Sequence, residues 1–279
     1  MSSTYKIGIV GYGYVGKAMY RFFKSKYDHT IFYDPYQAGS STKEAINECD
    51  LAVVCVMTPT NPQDGSCDVS IVEETIEWLT TPLILIKSTI APGTTDTLKS
   101  KTNKRIVFSP EYIGESDYDT GRHDFNKDVK NTPFITLGGD SKDTDAVLDI
   151  VVPIMGPNKT FHTTTALNAE IAKYMENCFL ATKVVFAYEF ERICRAFDTS
   201  YNQVRECWLL DPRMESSHTA VFSTNTRPYD GKCLPKDLRA ITVAAQQRGY
   251  NPEFIEEVQR SNERIGNLRR AEHASTSKY

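Results

Sequence analysis

The chain has 279 residues, 40% hydrophobic and 24% charged, with 32 basic against 36 acidic side chains. That apolar fraction sustains real cores and excludes a disordered chain, and the length suits two domains or one large one. A net charge of −4 excludes a general attraction to nucleic acid or to anionic membranes.

The chain opens with a polar stretch that runs straight into a strand, so no signal peptide is expected. The longest uninterrupted apolar runs, such as residues 51–57, are strand-sized and far short of the ~20 residues a membrane span needs. Seven cysteines, an odd number at irregular spacing with no C-x-x-C pair, argue against a disulfide framework or a cysteine zinc site. They suit a reducing, cytoplasmic setting. Five scattered histidines without H-E-x-x-H make no case for a metal.

Apolar runs at 6–10, 30–33, 51–56, 83–86 and 106–108 read as strands, with helical character at 17–26, 70–79 and 94–101. Continuous apolar strands alternating with helices predict an α/β fold with a parallel sheet covered on both faces. G-Y-G-Y-V-G at 11–16 joins the first strand to the first helix, and Asp34 closes the second strand. In this context Gly11 allows the tight turn, Gly13 lets backbone approach a pyrophosphate, and Gly16 lets helix and strand pack closely. Free N–H groups at the helix start would hold phosphates. Asp34 would accept from ribose hydroxyls and repel a 2′-phosphate, which favours NAD over NADP. The alternative is a glycine turn of ordinary structural value.

Polar loops follow three later strands: T-P-T at 58–60, S-T-I-A-P-G-T at 88–94 and S-P-E-Y-I-G-E at 109–115. Each alone suits a proline-containing turn; together at strand ends they predict a cleft.

Residues 164–197 lack proline and glycine and carry apolar side chains at helical spacing. A helix of ~30 residues is about 45 Å long, a length that links two domains or lines an oligomer interface. Lys173 and Asn177 share one of its faces. The expected division is therefore 1–163, a cofactor-binding domain, and 164–279, the long helix with a smaller helical domain.

In Y-D-G-K-C-L-P-K-D at 229–237, Lys232 and Lys236 bracket Cys233. Positive charge and a helix start there favour the thiolate, so Cys233 is the candidate nucleophile, with a buried structural cysteine as the alternative. The other six cysteines read as inert.

Taken in order, these motifs resemble the UDP-glucose/GDP-mannose dehydrogenase family, its UDP-glucose branch most. The resemblance extends through 168–189, D-P-R at 211–213, C-L-P-K-D at 233–237 and N-E-R at 262–264. It implies a Rossmann-like doubly wound sheet, then a long helix and a helical central domain. It also implies a two-step, NAD-dependent oxidation of a nucleotide-sugar alcohol to a carboxylate. Cys233 would form a thiohemiacetal and then a thioester that water hydrolyses. Lys173 would stabilise the oxyanion with Asn177 beside it, Asp237 would orient or deprotonate a water, and Glu111 would assist hydrolysis. Thr89 and Glu115 would position cofactor, water and sugar.

By the same resemblance, Gly11, Gly13, Tyr14, Val15, Gly16 and Asp34 would bind the cofactor, with Thr58, Pro59, Thr89, Glu115 and Lys236. Glu111, Tyr112, Ile113, Glu115, Lys173, Asn177 and Gly231 would meet the substrate. Arg213 would reach it in a neighbouring subunit, which implies a homodimer. The sequence departs from the family in three ways. The chain stops at Tyr279, without the family's C-terminal UDP-gripping domain, so that recognition is expected to be missing, reassigned or supplied by another polypeptide. Pro228, Asp230 and Glu215 stand where the family favours glycines. The polar stretch 116–131 reads as an insertion or lid. Two alternatives stay open: the same chemistry on a smaller sugar phosphate or hydroxy acid, and a non-catalytic NAD-binding half of a split enzyme.

Overall fold

The computed structural model describes residues 5–113, 128–222 and 227–276. The described chain forms two compact units, the first comprising 5–113 and 128–173, the second 174–222 and 227–276.

In the first unit, strands β1 (Ile7–Val10), β2 (Thr30–Tyr33), β3 (Leu51–Val54), β4 (Ile84–Ile86) and β5 (Ile106–Phe108) are all mutually parallel where they pair. Strands β6 (Phe134–Gly138) and β7 (Thr160–Thr164) extend the sheet to the order β2-β1-β3-β4-β5-β6-β7. They pair parallel to each other, while β6 meets β5 antiparallel at Phe108 and Gly138. The five apolar runs of the sequence are therefore the parallel part, and the mixed edge comes from strands with weaker patterns.

Period-two alternation feeds two cores. Ile7, Ile9, Leu51 and Val53 face helices α1 (Tyr14–Lys24) and α5 (Ser141–Met155), meeting Met19, Phe22, Phe23, Val147 and Val151. Val10, Ala52, Val54 and Ile84 face α2 (Lys43–Asn47), α3 (Ser70–Trp78) and α4 (Thr94–Thr102) through Ile46, Ile76 and Leu98. The second core also takes Ala169, from the first turn of α6 (Ala166–Ala196). Both faces of the sheet are thus buried, which is why its strands read as continuous apolar runs.

The second unit consists of the rest of α6, with α7 (Tyr201–Trp208), α8 (Cys233–Gln247) and α9 (Glu253–Thr276). Its core gathers Ala181, Val184, Tyr188, Tyr229, Leu238, Val258 and Ile265. The expected long helix is present at 31 residues.

Candidate active site

The glycine loop lies where β1 hands over to α1. The helix begins at Tyr14, three residues before the expected start, so Gly16 sits inside its first turn. A Cβ on Gly16 would stand 1.9 Å from the Gly11 carbonyl oxygen, so only glycine lets helix and loop pack this closely. Gly11 has φ +87°, and a Cβ there would meet the Cys55 carbonyl at 2.8 Å. Gly13 faces open space. It is the N-cap of α1 and offers no side-chain cap, which leaves the helix start open to an anion. Tyr14 is exposed and Val15 half-buried beside it. The Asp34 carboxylate ties this loop to the end of β2, accepting from the Tyr12 amide at 2.8 Å and the Tyr36 amide at 3.0 Å. An open helix start, a close-packed glycine turn and an acid at the next strand end fit a dinucleotide.

The order β2-β1-β3 places a topological switch point between β1 and β3, next to this loop. At the carboxyl ends of the following strands, the loops are joined to one another. Thr58 donates to the Thr89 carbonyl at 2.7 Å, and Ser88 donates to the Val56 carbonyl at 2.6 Å. Pro59 is exposed in the same turn.

Glu111 is clamped. Its Oε1 accepts from the amides of Tyr112 and Ile113 at 2.8 and 3.1 Å, and the buried Lys87 ammonium stands 3.1 Å from its Oε2. That contact is close enough for an ion pair but is not aligned as a hydrogen bond. Lys87 spends its directed bonds on Ser109 Oγ at 3.2 Å and the Pro110 carbonyl at 2.9 Å. Lys87 heads the motif at 87–94, but sequence reasoning gives it no role. It lies one position beyond a strand, where only its burial against Glu111 distinguishes it from a surface lysine.

Lys173, 8% exposed, places its ammonium 4.8 Å from the centre of the Tyr112 ring. Ile113 packs against the first core. Glu115 lies outside the described residues, as do residues 116–127 of the expected insertion; Val129–Asn131 form a single 3₁₀ turn.

In the second unit Cys233 is exposed at the first position of α8, as a helix-start nucleophile would be. One turn on, Asp237 is 1% exposed and held from both sides. Asn177 Nδ2 donates to its Oδ2 at 2.5 Å, and Lys236 Nζ to its Oδ1 at 2.6 Å. The structure thus gathers Asn177, Lys236 and Asp237 into one cluster beside Cys233 in α8, with the Lys236 ammonium engaged by the acid. Burial, with Asp237 adding to it, pushes the Cys178 thiol up to about 12. The loop before Cys233 is pinned at Tyr229, whose ring is buried and whose amide donates to Asn262 Oδ1 at 3.0 Å. Gly231 has φ +86° with open space around it, and Asp230 accepts from its amide. Arg213 is exposed and forked onto Asp211. Of the remaining cysteines, Cys207 is exposed on α7, Cys55 is half-buried, and Cys49, Cys67, Cys178 and Cys194 are buried.

Two family models match this chain, together covering most of it. The NAD binding domain of the UDP-glucose/GDP-mannose dehydrogenase family matches residues 27–152, and that family's central domain matches 167–264. YtcA of Bacillus subtilis is 30% identical over 241 residues, 81% of this chain and 53% of its own. The UDP-glucose 6-dehydrogenase AglM of Haloferax volcanii is 28% identical over 238 residues, 76% and 52% respectively. The chain therefore spans about half the length of the curated relatives it matches. Among solved structures, a UDP-glucose dehydrogenase from Pyrobaculum islandicum superposes with TM-score 0.80 at 23% identity, over 94% of this chain and 68% of that one. It carries the fold assignment.

Proposed function

The chain belongs to the UDP-glucose/GDP-mannose dehydrogenase family, and from that premise we propose that it serves the oxidation of a nucleotide-sugar primary alcohol to the carboxylate, with Cys233 as nucleophile. The cofactor of the family's N-terminal domain is NAD, and the open start of α1, Gly11, Gly13, Gly16 and Asp34 are the residues that would hold it. In this reading 1–163 is the cofactor-binding domain and 164–279 the nucleophile-bearing one. NAD, when bound, accepts the hydrides of both oxidations.

The observation that carries the reading is the pairing of an exposed Cys233 at a helix start with a buried, doubly held Asp237 one turn away. An aldehyde has no hydride to give until a nucleophile adds. Cys233 Sγ would bond to the aldehyde carbon, the carbonyl oxygen taking a proton to complete the thiohemiacetal. Loss of the second hydride and of that proton leaves a thioester. Water then adds to the thioester carbon, the C–S bond breaks, and the carboxylate departs as Cys233 regains its proton.

Lys173 and Asn177 would stabilise the oxyanion; such donors contribute about 3 kcal/mol each. Asp237 would orient the water, and Glu111, fixed by Lys87, would assist hydrolysis and help place the sugar with Tyr112, Ile113 and Gly231. Thr58, Pro59, Thr89 and Lys236 would border the cofactor. We further propose a homodimer in which Arg213 reaches the neighbouring subunit's substrate. The exposed Met175, Phe179, Phe186 and Phe190 of α6, with Phe197 just beyond its end, support that assembly.

The test is NADH formation from NAD and UDP-glucose, with GDP-mannose and a small hydroxy acid in parallel, comparing wild type with Cys233→Ser. Turnover to carboxylate by wild type, with the variant stalled before carboxylate, is the expected result. NAD binding with no turnover of any substrate would sink the stand-alone enzyme and favour half of a split one.

A further inference from the structure

We propose that Glu170 is a positioning residue that locks the first turns of α6, and with them Lys173, onto the loop that carries Thr89. This role rests on the reaction proposed above.

Glu170 is wholly buried. Its Oε2 accepts from the Gly93 amide at 2.5 Å, and its Oε1 accepts from the Thr95 amide at 2.9 Å and the Thr95 hydroxyl at 2.6 Å. Gly93 is the N-cap of α4, at φ +93°, and supplies no side-chain cap of its own. Helix starts are usually capped by a local Ser, Thr, Asp or Asn. Here the cap comes from another helix, 77 positions along the chain from Gly93.

A local N-cap side chain would satisfy the Thr95 amide at no cost in burial. Burial instead raises the Glu170 carboxyl's pKa, against the hydrogen bonds of Thr95 and Gly93. What the distant carboxylate adds is a joint between two elements.

The joint is rigid on both sides. Upstream of Gly93, Ile90 is fully buried, Thr94 Oγ1 donates to the Ala91 carbonyl at 2.6 Å, and the Thr89 carbonyl is held by Thr58. On the helix side, Gly138 lets the start of α6 pack directly on β6. A Cβ there would stand 2.7 Å from Ala169 Cβ and 2.8 Å from the Thr165 carbonyl. Glu170 and Lys173 are three apart on one helix face. Fixing the first therefore fixes the second at the Tyr112 ring.

The experiment uses Thr95→Val, which removes one of the three bonds at constant shape, with Thr95→Ser as the conservative control and Glu170→Gln as the stronger variant. The readouts are acylation of Lys173 by an amine reagent, quantified by peptide mass spectrometry against exposed Lys142; the NAD dissociation constant; kcat and KM; and the melting temperature. Thr95→Val and Glu170→Gln are expected to raise Lys173 labelling severalfold and leave NAD binding unchanged. They should lower kcat about 10–100-fold, as small misplacements do, with KM little affected, while Thr95→Ser behaves as wild type. A lowered melting temperature with Lys173 labelling unchanged in folded Thr95→Val would overturn the proposal and leave Glu170 a structural cap. Labelling needs no turnover. An inactive wild type whose variants still expose Lys173 would therefore reject the reaction and keep the joint.

Discussion

Cys178 and Cys233 belong to the same unit and differ in what a thiol can do there. Burial beside Asp237 holds the first up at about 12, whereas the second is exposed at a helix start. Because Cys233 is exposed, Cys233→Ser should change the unfolding free energy read from denaturant melts by no more than about 0.5 kcal/mol. Its loss of carboxylate formation would then report chemistry. His218 gives a pH prediction. Burial, with the Lys183 ammonium adding to it, lowers its pKa from 6.5 to about 4, against a smaller pull from Glu215. The folded state keeps this ring neutral where the unfolded chain takes a proton. Its contribution is therefore present above about pH 6.5 and lost as the pH falls toward 4. Thermal melts across that window should show a steeper acid loss in wild type than in His218→Gln; parallel curves would remove His218 from the account.

The joint between β1 and α1 separates two glycine roles that a motif lists as equals. Gly16→Ala forces a Cβ into the Gly11 carbonyl and should cost at least about 3 kcal/mol, since backbone on both sides cannot yield. Gly13→Ala meets nothing in the protein and should cost at most about 1 kcal/mol at an N-cap. It should nevertheless weaken NAD about tenfold, or 1.4 kcal/mol, because its Cβ would occupy the space a pyrophosphate needs. Thermal shift and NADH fluorescence titration of the two variants check this. Equal loss of stability in both would mean that the loop is a structural turn only. A second joint, where Lys87 meets Glu111, obeys buried-pair energetics. Removing either partner leaves an uncompensated charge at about 3–5 kcal/mol.

At the scale of the molecule, α6 carries more apolar surface than its own unit covers. Phe186 and Phe190 lie 4.6 Å apart, 48% and 39% exposed, and Phe179 and Phe197 are more exposed still. Light scattering behind size exclusion should give about twice the 31.5 kDa of one chain. Phe190→Glu should return it to one, since a carboxylate at an apolar interface pays desolvation without a partner. A wild-type monomer at micromolar concentration would reject the dimer and, with it, the trans role of Arg213.

Local pattern was enough for the five parallel strands, the glycine turn with Asp34, the long helix and the helix start at Cys233, because burial on both sheet faces and helical period leave their marks residue by residue. The antiparallel entry of β6, the Lys87–Glu111 pair, the Asn177–Asp237–Lys236 cluster and the cap that Glu170 places on α4 left no such mark. Each joins residues distant in the chain, and a lysine or glutamate has the same local signature whether it ends in water or in a buried pair. Desolvation and hydrogen-bond geometry, which exist only once the elements pack, decided which of these charges ended in buried pairs.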